Sequence, residues 1–298
     1  TWCQWCVRGI GAMAWMKEHH PDGFIGIAVH YDAGSNVPDS MDYSEYIDAI
    51  HNDMGSAGYP HVSVNRNAEF YGDPANIPAI YSYIKETQTN NVGISTRGVY
   101  DAQTNTINAT TDIFFSEDIA KADYKLVYVV IENNVHRTHA ETGITNDYCG
   151  YDQVNAYAGG ANGAMYGFES LPSIINADSI WYQDVARLIA PSYKGISNVI
   201  GTNSVKEGDH FVNTFTLDMP ATVLKKENTQ LVALLINSYN QIANADCVDI
   251  EGTGHSTGIH EITKKMPAEA NIFYNLSGMR VEHPTKGIYI CNGRKVRL

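Results

Sequence analysis

The sequence opens with TWCQWCVRG at residues 1–9, in which two cysteines stand three positions apart at the start of an apolar run. Residues 6–19 (CVRGIGAMAWMKEH) place apolar side chains at helical spacing, so the second cysteine is predicted to open a helix. The free N–H groups and the positive end of the helix dipole would then stabilise a thiolate on Cys3. Cys3 is predicted to be the attacking thiol and Cys6 the resolving thiol, with added positive charge from Arg8.

The segments that follow residue 19 alternate between strand and helix patterns. Residues 24–31 (FIGIAVHY) form a short branched apolar run that predicts a buried strand, and residues 44–54 (SEYIDAIHNDM) predict a capped helix. After the turn at Gly58-Tyr59-Pro60, residues 61–65 (HVSVN) alternate like a strand, and residues 78–87 predict another helix. This order predicts an α/β domain over residues 1–89, with helices packed on a sheet.

From residue 90 to residue 251 the pattern changes to strand-like runs separated by turn residues, which predicts an all-β sandwich domain. Residues 138–170 lack periodicity, and because structureless loops of that length are uncommon, we expect partial order or a functional role there. Residues 252–271 predict a polar linker, and residues 272–298 predict a C-terminal β-hairpin tail turning at Asn292-Gly293. The strongest strand segments of the β region are VGISTRGVY, INATTDIFF, YKLVYVVIE, HFVNTFTL and TQLVALLIN.

Charge and composition exclude several classes of function. The net charge of −13 disfavours both nucleic acid and an anionic membrane surface as partners. No apolar run reaches the roughly 18 residues needed to span a bilayer. The sequence begins without Met, so we expect an upstream stretch to have been removed or left out. Nothing in the sequence implies a cofactor.

The order of these features resembles the thioredoxin superfamily. Trp2-Cys3-Gln4-Trp5-Cys6 is followed by helix, strand and helix, and then by Tyr59-Pro60 before a further strand. The resemblance implies that the Tyr59–Pro60 peptide is cis, faces the cysteines and positions a substrate strand, which proline's missing N–H permits. The sequence departs from that family in three places: the strand that normally precedes the cysteines is missing, Gln4-Trp5 is unlike the usual intervening pair, and the terminal hairpin is poorly formed.

A narrower resemblance covers residues 1–250 and is strongest at the front. Residues 1–9, together with Tyr59-Pro60 and Asn65-Arg66, are similar to the outer-membrane-protein-twenty-eight-related family of Gram-negative cell-envelope proteins. This resemblance implies a thioredoxin-like domain joined to a β-sandwich. It also implies an exported protein of the periplasm, outer membrane or cell surface, such as a secreted protein or lipoprotein. The tail is similar to sorting tails of type-nine secretion, and a plain docked hairpin is the alternative.

The cysteine pattern leaves other interpretations open. Cys3 and Cys6 would also suit a structural disulfide or half of a zinc site, although no second Cys-x-x-Cys supplies the other half. Cys149 and Cys247 are both in the β region, and an oxidising compartment would allow them to pair. Cys291 would then be a free buried thiol.

The long loop holds further candidate residues, and we assign no metal site from sequence. His136 and His139 have the spacing of metal ligands, but exposed histidines are the commoner explanation. Asp147 and Asp152 would suit calcium but lack the EF-hand pattern. Tyrosines in the loop suit either a recognition surface or packing of the β domain; these are Tyr148, Tyr151 and Tyr157.

Two functions follow from these features. The first is an exported thiol–disulfide oxidoreductase that acts through Cys3 and Cys6 on protein thiols or disulfides, or on another envelope protein, with Trp2, Trp5 and Arg8 flanking the pair. The alternative is a surface or outer-membrane-associated binding or adhesion protein that uses a thioredoxin-like scaffold with a structural disulfide. Fold alone does not decide between them.

Overall fold

The computed structural model describes residues 1–32, 34, 38–54, 58–144 and 148–254, and four short strands between residues 273 and 297. The chain divides into two compact units, Thr1–His255 and Ser256–Leu298. The division at residue 89 that the sequence suggests remains a prediction.

The helices agree closely with the sequence patterns. The first begins one residue after Cys6, as the periodicity predicts, and the predicted helices at residues 44–54 and 78–87 are also present. The α-helices are α1 (Val7–His19), α2 (Ile47–Met54), α3 (Ile77–Thr87) and α4 (His139–Thr142). Short 3-10 helices occur at Ala68–Phe70, Pro74–Asn76, Ala158–Gly160, Phe168–Ser170, Ala177–Ser179 and Lys226–Asn228.

Every strand segment expected between residues 90 and 251 is a strand in the structure. The strands of the first unit are β1 (Val62–Ser63), β2 (Tyr71–Gly72), β3 (Val92–Asp101), β4 (Thr106–Phe115), β5 (Lys125–Glu132), β6 (Gln153–Val154), β7 (Ile174–Ile175), β8 (Val185–Ala190), β9 (His210–Asp218), β10 (Thr229–Ile236) and β11 (Ile242–Glu251). The sequence did not predict β8 or β11. Polar residues interrupt their apolar runs: β8 contains a buried arginine, and β11 (IANADCVDIE) carries Asn and Asp, which have low β-propensity.

The β-rich region is confirmed, but its main strands form one sheet rather than the expected two. The order is β8-β5-β10-β11-β3-β4-β9, and β11 joins the halves by pairing antiparallel with β10 and parallel with β3. The sheet curls so that its two halves face each other. One contact between the halves is the hydrogen bond that Tyr128 on β5 donates to Thr111 on β4 at 3.0 Å. The ring of Tyr128 also stacks on Phe215 of β9, with centroids 6.0 Å apart.

The inside of this curl is a core to which β4, β5, β9 and β10 all contribute. The opposite face of β5 and β10 carries a second core, formed with apolar residues of the N-terminal segment. These residues are Ile25, Ile27, Val29, Tyr43, Tyr46, Ala49 and Ile50. Residues 25–50 therefore cover the outer face of β5 and β10, the half of the sheet that also carries β8.

The predicted strand at residues 24–31 is wrong as a regular strand. The segment makes isolated parallel bridges, from Ala28 to Val185 and from His30 to Asp42. Ala28 donates to the Asp184 carbonyl at 2.8 Å and accepts from the Ala186 amide at 2.9 Å, so the segment lies against the edge strand β8. Two isolated bridges are too few for a ladder, and the segment is half-buried rather than buried, with only Gly26 fully covered.

The second unit contains four strands in the described residues, β12 (Phe273–Tyr274), β13 (Arg280–Val281), β14 (Ile288–Cys291) and β15 (Arg294–Arg297). β14 and β15 pair antiparallel on either side of residues 292–293, as the hairpin prediction requires, although Asn292-Gly293 lie outside the described residues. Most of the predicted linker, from residue 255 onward, also lies outside them. None of the described helices is both long and apolar enough to cross a bilayer.

Candidate active site around the Cys3–Cys6 disulfide

Cys3 and Cys6 form a disulfide at the start of α1, with their Cα atoms 5.4 Å apart. Cys6 is the N-cap residue of the helix, and its amide donates to the Cys3 carbonyl at 3.1 Å. The pair therefore lies at the positive end of the helix dipole, where a thiolate released by reduction would be stabilised. Cys3 is only 6% exposed, whereas Cys6 is half-buried.

The Tyr59–Pro60 peptide is cis, as the resemblance to thioredoxins implied. Pro60 packs against the first turn of α1, since a Cβ placed on Gly9 would lie 3.9 Å from the Pro60 Cβ. The Tyr59 hydroxyl lies 2.8 Å from Nε2 of His51, a residue of α2 that the sequence patterns did not mark. Burial, and then the nearby Tyr31, raise the pKa of Tyr59 above its ordinary value.

Two tryptophans flank the disulfide in different ways. Trp2 is held inside, with its indole N–H donating to the Tyr31 carbonyl at 2.8 Å and its ring edge-on to Tyr59 at 5.7 Å. Trp5 is 36% exposed and lies edge-on to Tyr157 at 5.8 Å. These rings leave a shallow cavity of about 300 Å³ beside the disulfide, lined by Trp2, Cys3, Gln4, Trp5, Tyr59 and Val154.

The guanidinium of Arg8 forms an ion pair with Asp73 at 2.8 Å, and both side chains are partly exposed. Asp73 therefore offsets the positive charge that the sequence suggested Arg8 would add beside Cys3.

A segment of the long loop, residues 153–157, is bound to the cysteine motif. It starts at β6, which pairs with β7 at Ile174–Ile175, and the sequence patterns gave no indication of this contact. Three of its groups donate hydrogen bonds to carbonyls of residues 1–4. These bonds are Gln153 Nε2 to Cys3 at 2.9 Å, Val154 N to Thr1 at 3.0 Å and Ala156 N to Gln4 at 3.0 Å. Together they bury Cys3.

A second cavity of about 510 Å³ lies behind the disulfide and is mostly apolar. Ile10 and Met13 of α1 line one side, and residues 27–31 line another. Both cysteines and Pro60 also line it, and Trp2, Cys3 and Tyr59 line both this cavity and the shallow one.

The structure separates the two loop histidines. His136 stacks on Trp181 with ring centroids 4.4 Å apart, and its Nδ1 lies 2.9 Å from the Ile180 carbonyl. His139 instead contacts Asp152, with Nε2 2.7 Å from Oδ1. That contact raises the pKa of His139, because the carboxylate favours the protonated ring. Asp147, the other suggested calcium ligand, lies outside the described residues.

Two loop tyrosines and Cys149 pack in the interior of the first unit, and Tyr148 and Cys247 are half-buried. Tyr151 and Tyr157 are 6% and 5% exposed, so they belong to the packing of the domain rather than to a recognition surface. Cys149 and Cys247 are both free, and the bond considered between them is not formed. Burial, and then the charge of Asp184, raise the pKa of Cys247 to about 12. Of Cys291, only its backbone in β14 is described.

Comparison with protein families gives a match to the model of Outer membrane protein Omp28 over residues 47–252, more than half of the chain. The chain belongs to the Omp28 family. Membership confirms the family resemblance of the sequence and the predicted export to the cell envelope. The matched region contains Tyr59-Pro60 and the seven-stranded sheet but not the cysteine motif.

Solved structures resemble the Omp28-family chain more weakly. HBP35 of Porphyromonas gingivalis aligns over 100% of this chain and 93% of that chain, with 18% identity and a TM-score of 0.56. A domain of the outer membrane lipoprotein Omp28 from Porphyromonas gingivalis aligns over 55% of this chain and 91% of that chain, with 10% identity and a TM-score of 0.26. The first match supports a common fold. A comparison with curated proteins finds no match.

Proposed function

We propose that this chain is an envelope thiol–disulfide oxidoreductase with a thioredoxin-like N-terminal segment. The observation that carries the proposal is the disulfide at the N-terminus of α1 together with the cis Tyr59–Pro60 peptide packed on the same helical turn. The helix end supplies the electrostatic stabilisation that a catalytic thiolate needs.

In the proposed reaction the Cys3–Cys6 disulfide accepts two electrons from a substrate with two thiols. One substrate thiolate attacks Cys3, forming a mixed disulfide and releasing the Cys6 thiolate. The second substrate thiolate then breaks the mixed disulfide, leaving an oxidised substrate and reduced Cys3 and Cys6. The reverse sequence, in which Cys3 attacks and Cys6 resolves, reduces a substrate disulfide. Tyr59–Pro60 would position the substrate backbone beside Cys3.

One observation favours the alternative function, a binding or adhesion protein with a structural disulfide. Cys3 is almost fully buried, and residues 153–157 hold the carbonyls on both sides of it. Opening of this contact would expose Cys3 further to a substrate thiolate. The two proposals therefore differ in how easily the disulfide is reduced.

A redox titration in glutathione buffers, read by alkylation and intact mass, tests the proposal. A reversible two-electron transition of the Cys3–Cys6 pair between about −120 and −270 mV is expected for a catalytic disulfide. The variant Cys3→Ser/Cys6→Ser is the control that must lose the mass shift, since Cys149, Cys247 and Cys291 remain. Resistance to reduction below about −300 mV would overturn the oxidoreductase proposal and favour the structural disulfide.

A further inference from the structure

A second cluster of reactive side chains lies in the long loop and plays no part in the proposed redox reaction. His139 begins α4, and Cys149 and Asp152 follow on the segment that leads into β6. One ligand-type atom from each of the three lies within 4.8 Å of the other two. Cys149 is 0% and Asp152 is 1% exposed, so two members of the cluster are fully buried.

The three side chains have the chemistry of a zinc site. Zinc binds imidazole nitrogen, thiolate sulfur and carboxylate oxygen, at distances that place tetrahedral ligand atoms roughly 3–4 Å from one another. The mixture of a soft thiolate with imidazole favours zinc over magnesium or calcium, which prefer oxygen ligands alone. Small movements of these side chains would therefore place all three around one ion.

The surrounding groups already orient the carboxylate. Asp152 Oδ1 accepts the Ala177 amide at 2.7 Å, and Oδ2 accepts the Cys149 amide at 2.8 Å. Backbone donors of this kind fix a ligating carboxylate and leave its remaining lone pairs for the metal.

The backbone of His139 is held by its own neighbours. The His139 amide donates to Asp178 at 2.8 Å, and the reciprocal hydrogen bonds of Thr138 and Glu141 fix the first turn of α4. The backbone that carries His139 is therefore anchored without a metal.

We propose that His139, Cys149 and Asp152 bind one zinc ion, with a fourth position open to solvent on the side of His139. Binding releases the Cys149 thiol proton as the Zn–S bond forms. The proton between His139 Nε2 and Asp152 also leaves Nε2, to solvent from an imidazolium or to Nδ1 from a neutral ring, and two metal–ligand bonds replace that hydrogen bond. Asp152 directly precedes Gln153, which donates to the Cys3 carbonyl. The ion would therefore stabilise the segment that buries Cys3, whether the Cys3–Cys6 disulfide is catalytic or structural.

The test is a titration of the full chain, stripped with a chelator and with the Cys3–Cys6 disulfide kept oxidised so that its sulfurs are not ligands. Added Co²⁺ is expected to give a thiolate-to-cobalt charge-transfer band, and Zn²⁺ is expected to displace it at one ion per chain. Cys149→Ser should abolish the band, and His139→Gln should weaken zinc binding by at least about tenfold. Cys247→Ser and Cys291→Ser are the matched cysteine controls and should bind normally.

Three results would overturn the zinc site. These are no metal binding by the wild-type chain, a charge-transfer band that survives in Cys149→Ser, and a band lost in Cys247→Ser or Cys291→Ser. If Cys149→Ser does not fold by circular dichroism, His139→Gln decides the question, because its side chain is partly exposed and its loss leaves the interior intact. Unchanged zinc affinity in that variant then refutes the site.

Discussion

The two halves of the seven-stranded sheet are covered differently. In β5 and β10 almost every residue is buried, because the curl of the sheet covers one face and the N-terminal segment covers the other. In β4 and β9 exposed residues alternate with more buried ones, and only the face toward the curl is covered. We call these the doubly covered half and the singly covered half.

The difference shows that the spacing of apolar residues along a strand depends on how many faces of that strand are covered. A strand with one solvent-exposed face alternates between apolar and polar residues, whereas a strand covered on both faces is a continuous apolar run. KLVYVVIE and TQLVALLI are such runs, and they divide their side chains between the two cores. TINATTDIFF and HFVNTFTLD keep the alternation. The apolar runs of β5 and β10, more than 110 residues downstream of the cysteine motif, therefore indicate that the N-terminal segment covers these strands.

The largest effect should come from the buried ion pair of the doubly covered half. Arg187 Nε donates to Glu132 Oε2 at 2.9 Å, and both side chains are almost fully buried. Arg187→Met should lower the free energy of unfolding by about 3–5 kcal/mol, because it leaves a buried carboxylate without its cation. Urea denaturation of the full chain measures this.

The matched control is the double variant Arg187→Met/Glu132→Gln. The glutamine oxygen still accepts from the Leu224 and Lys225 amides, which bond to Glu132 at 3.0 Å and 2.7 Å, but it carries no charge. The double variant should recover part of the lost stability. A cost below about 1 kcal/mol for Arg187→Met would contradict the prediction, because it would mean that water reaches the ion pair of Arg187 and Glu132.

A substitution of Leu234 tests whether the N-terminal segment, residues 25–50, covers the doubly covered half. Leu234 of β10 is 5% exposed and belongs to the core that the N-terminal segment shares with the sheet. Leu234→Ala should cost about 2–4 kcal/mol, because it opens a cavity under that segment. Val212→Ala on β9, where the side chain is 60% exposed, should cost less than about 1 kcal/mol. Equal urea midpoints for the two variants would contradict the assignment of two covered faces.

Local patterns gave the fold's elements but not their arrangement. Periods of 3.6 and 2 predicted α1 and β4 closely, because burial on one stripe or face determines which side chains are apolar. They could not show that β11 joins the two halves into one sheet, since pairing partners are set by contacts distant in sequence. β8 was missed for a related reason: the charge of Arg187 is acceptable in a buried strand only because Glu132 lies opposite.

The candidate active site also contains residues that local sequence patterns predicted and residues that they did not. Cys3 and Cys6 were predicted from motif spacing, because two cysteines three positions apart at the start of a helix are visible in neighbouring residues. The cis Tyr59–Pro60 peptide was predicted from the resemblance to the thioredoxin superfamily. Residues 153–157, which bury Cys3, follow 150 positions later in a loop without periodicity, and no local signal ties them to the motif. His51 was unmarked because a histidine on a helix is usually a solvent-exposed residue.

The next prediction concerns the pH dependence of stability at Asp184, which lies where α1 contacts the start of β8. The Asp184 carboxyl is 2% exposed and lies 2.5 Å from Lys17 Nζ. Burial raises its pKa above the ordinary 3.8, and Lys17 only partly offsets this. Below pH 3.8 both folded and unfolded states hold the proton. As the pH rises from about 3.8 to the higher pKa of the folded state, the unfolded state loses its proton while the folded state keeps it, so the free energy of unfolding falls.

Asp184→Asn cannot ionise, so its stability relative to the wild type should improve as pH rises from about 3.8 toward neutrality. The measurement is the difference between the two urea midpoints at each pH. Asp22→Asn, at an exposed turn near the end of α1, controls for the loss of one carboxylate. A difference that shrinks with rising pH would mean that Lys17 dominates the site and that the pKa of Asp184 is lowered.

The smallest effect should come from the ion pair that joins the two halves at the surface. Arg97 of β3 and Glu251 of β11 form two hydrogen bonds, at 2.7 Å and 2.5 Å, so their geometry is as good as that of Arg187 and Glu132. Their side chains are 64% and 48% exposed, however, and water and salt screen the attraction. Arg97→Gln and Glu251→Gln should leave the urea midpoint unchanged within error, at low and at high salt. A salt-dependent loss in either variant would mean that contact geometry, and not the covering of the sheet, decides what an ion pair contributes in this protein.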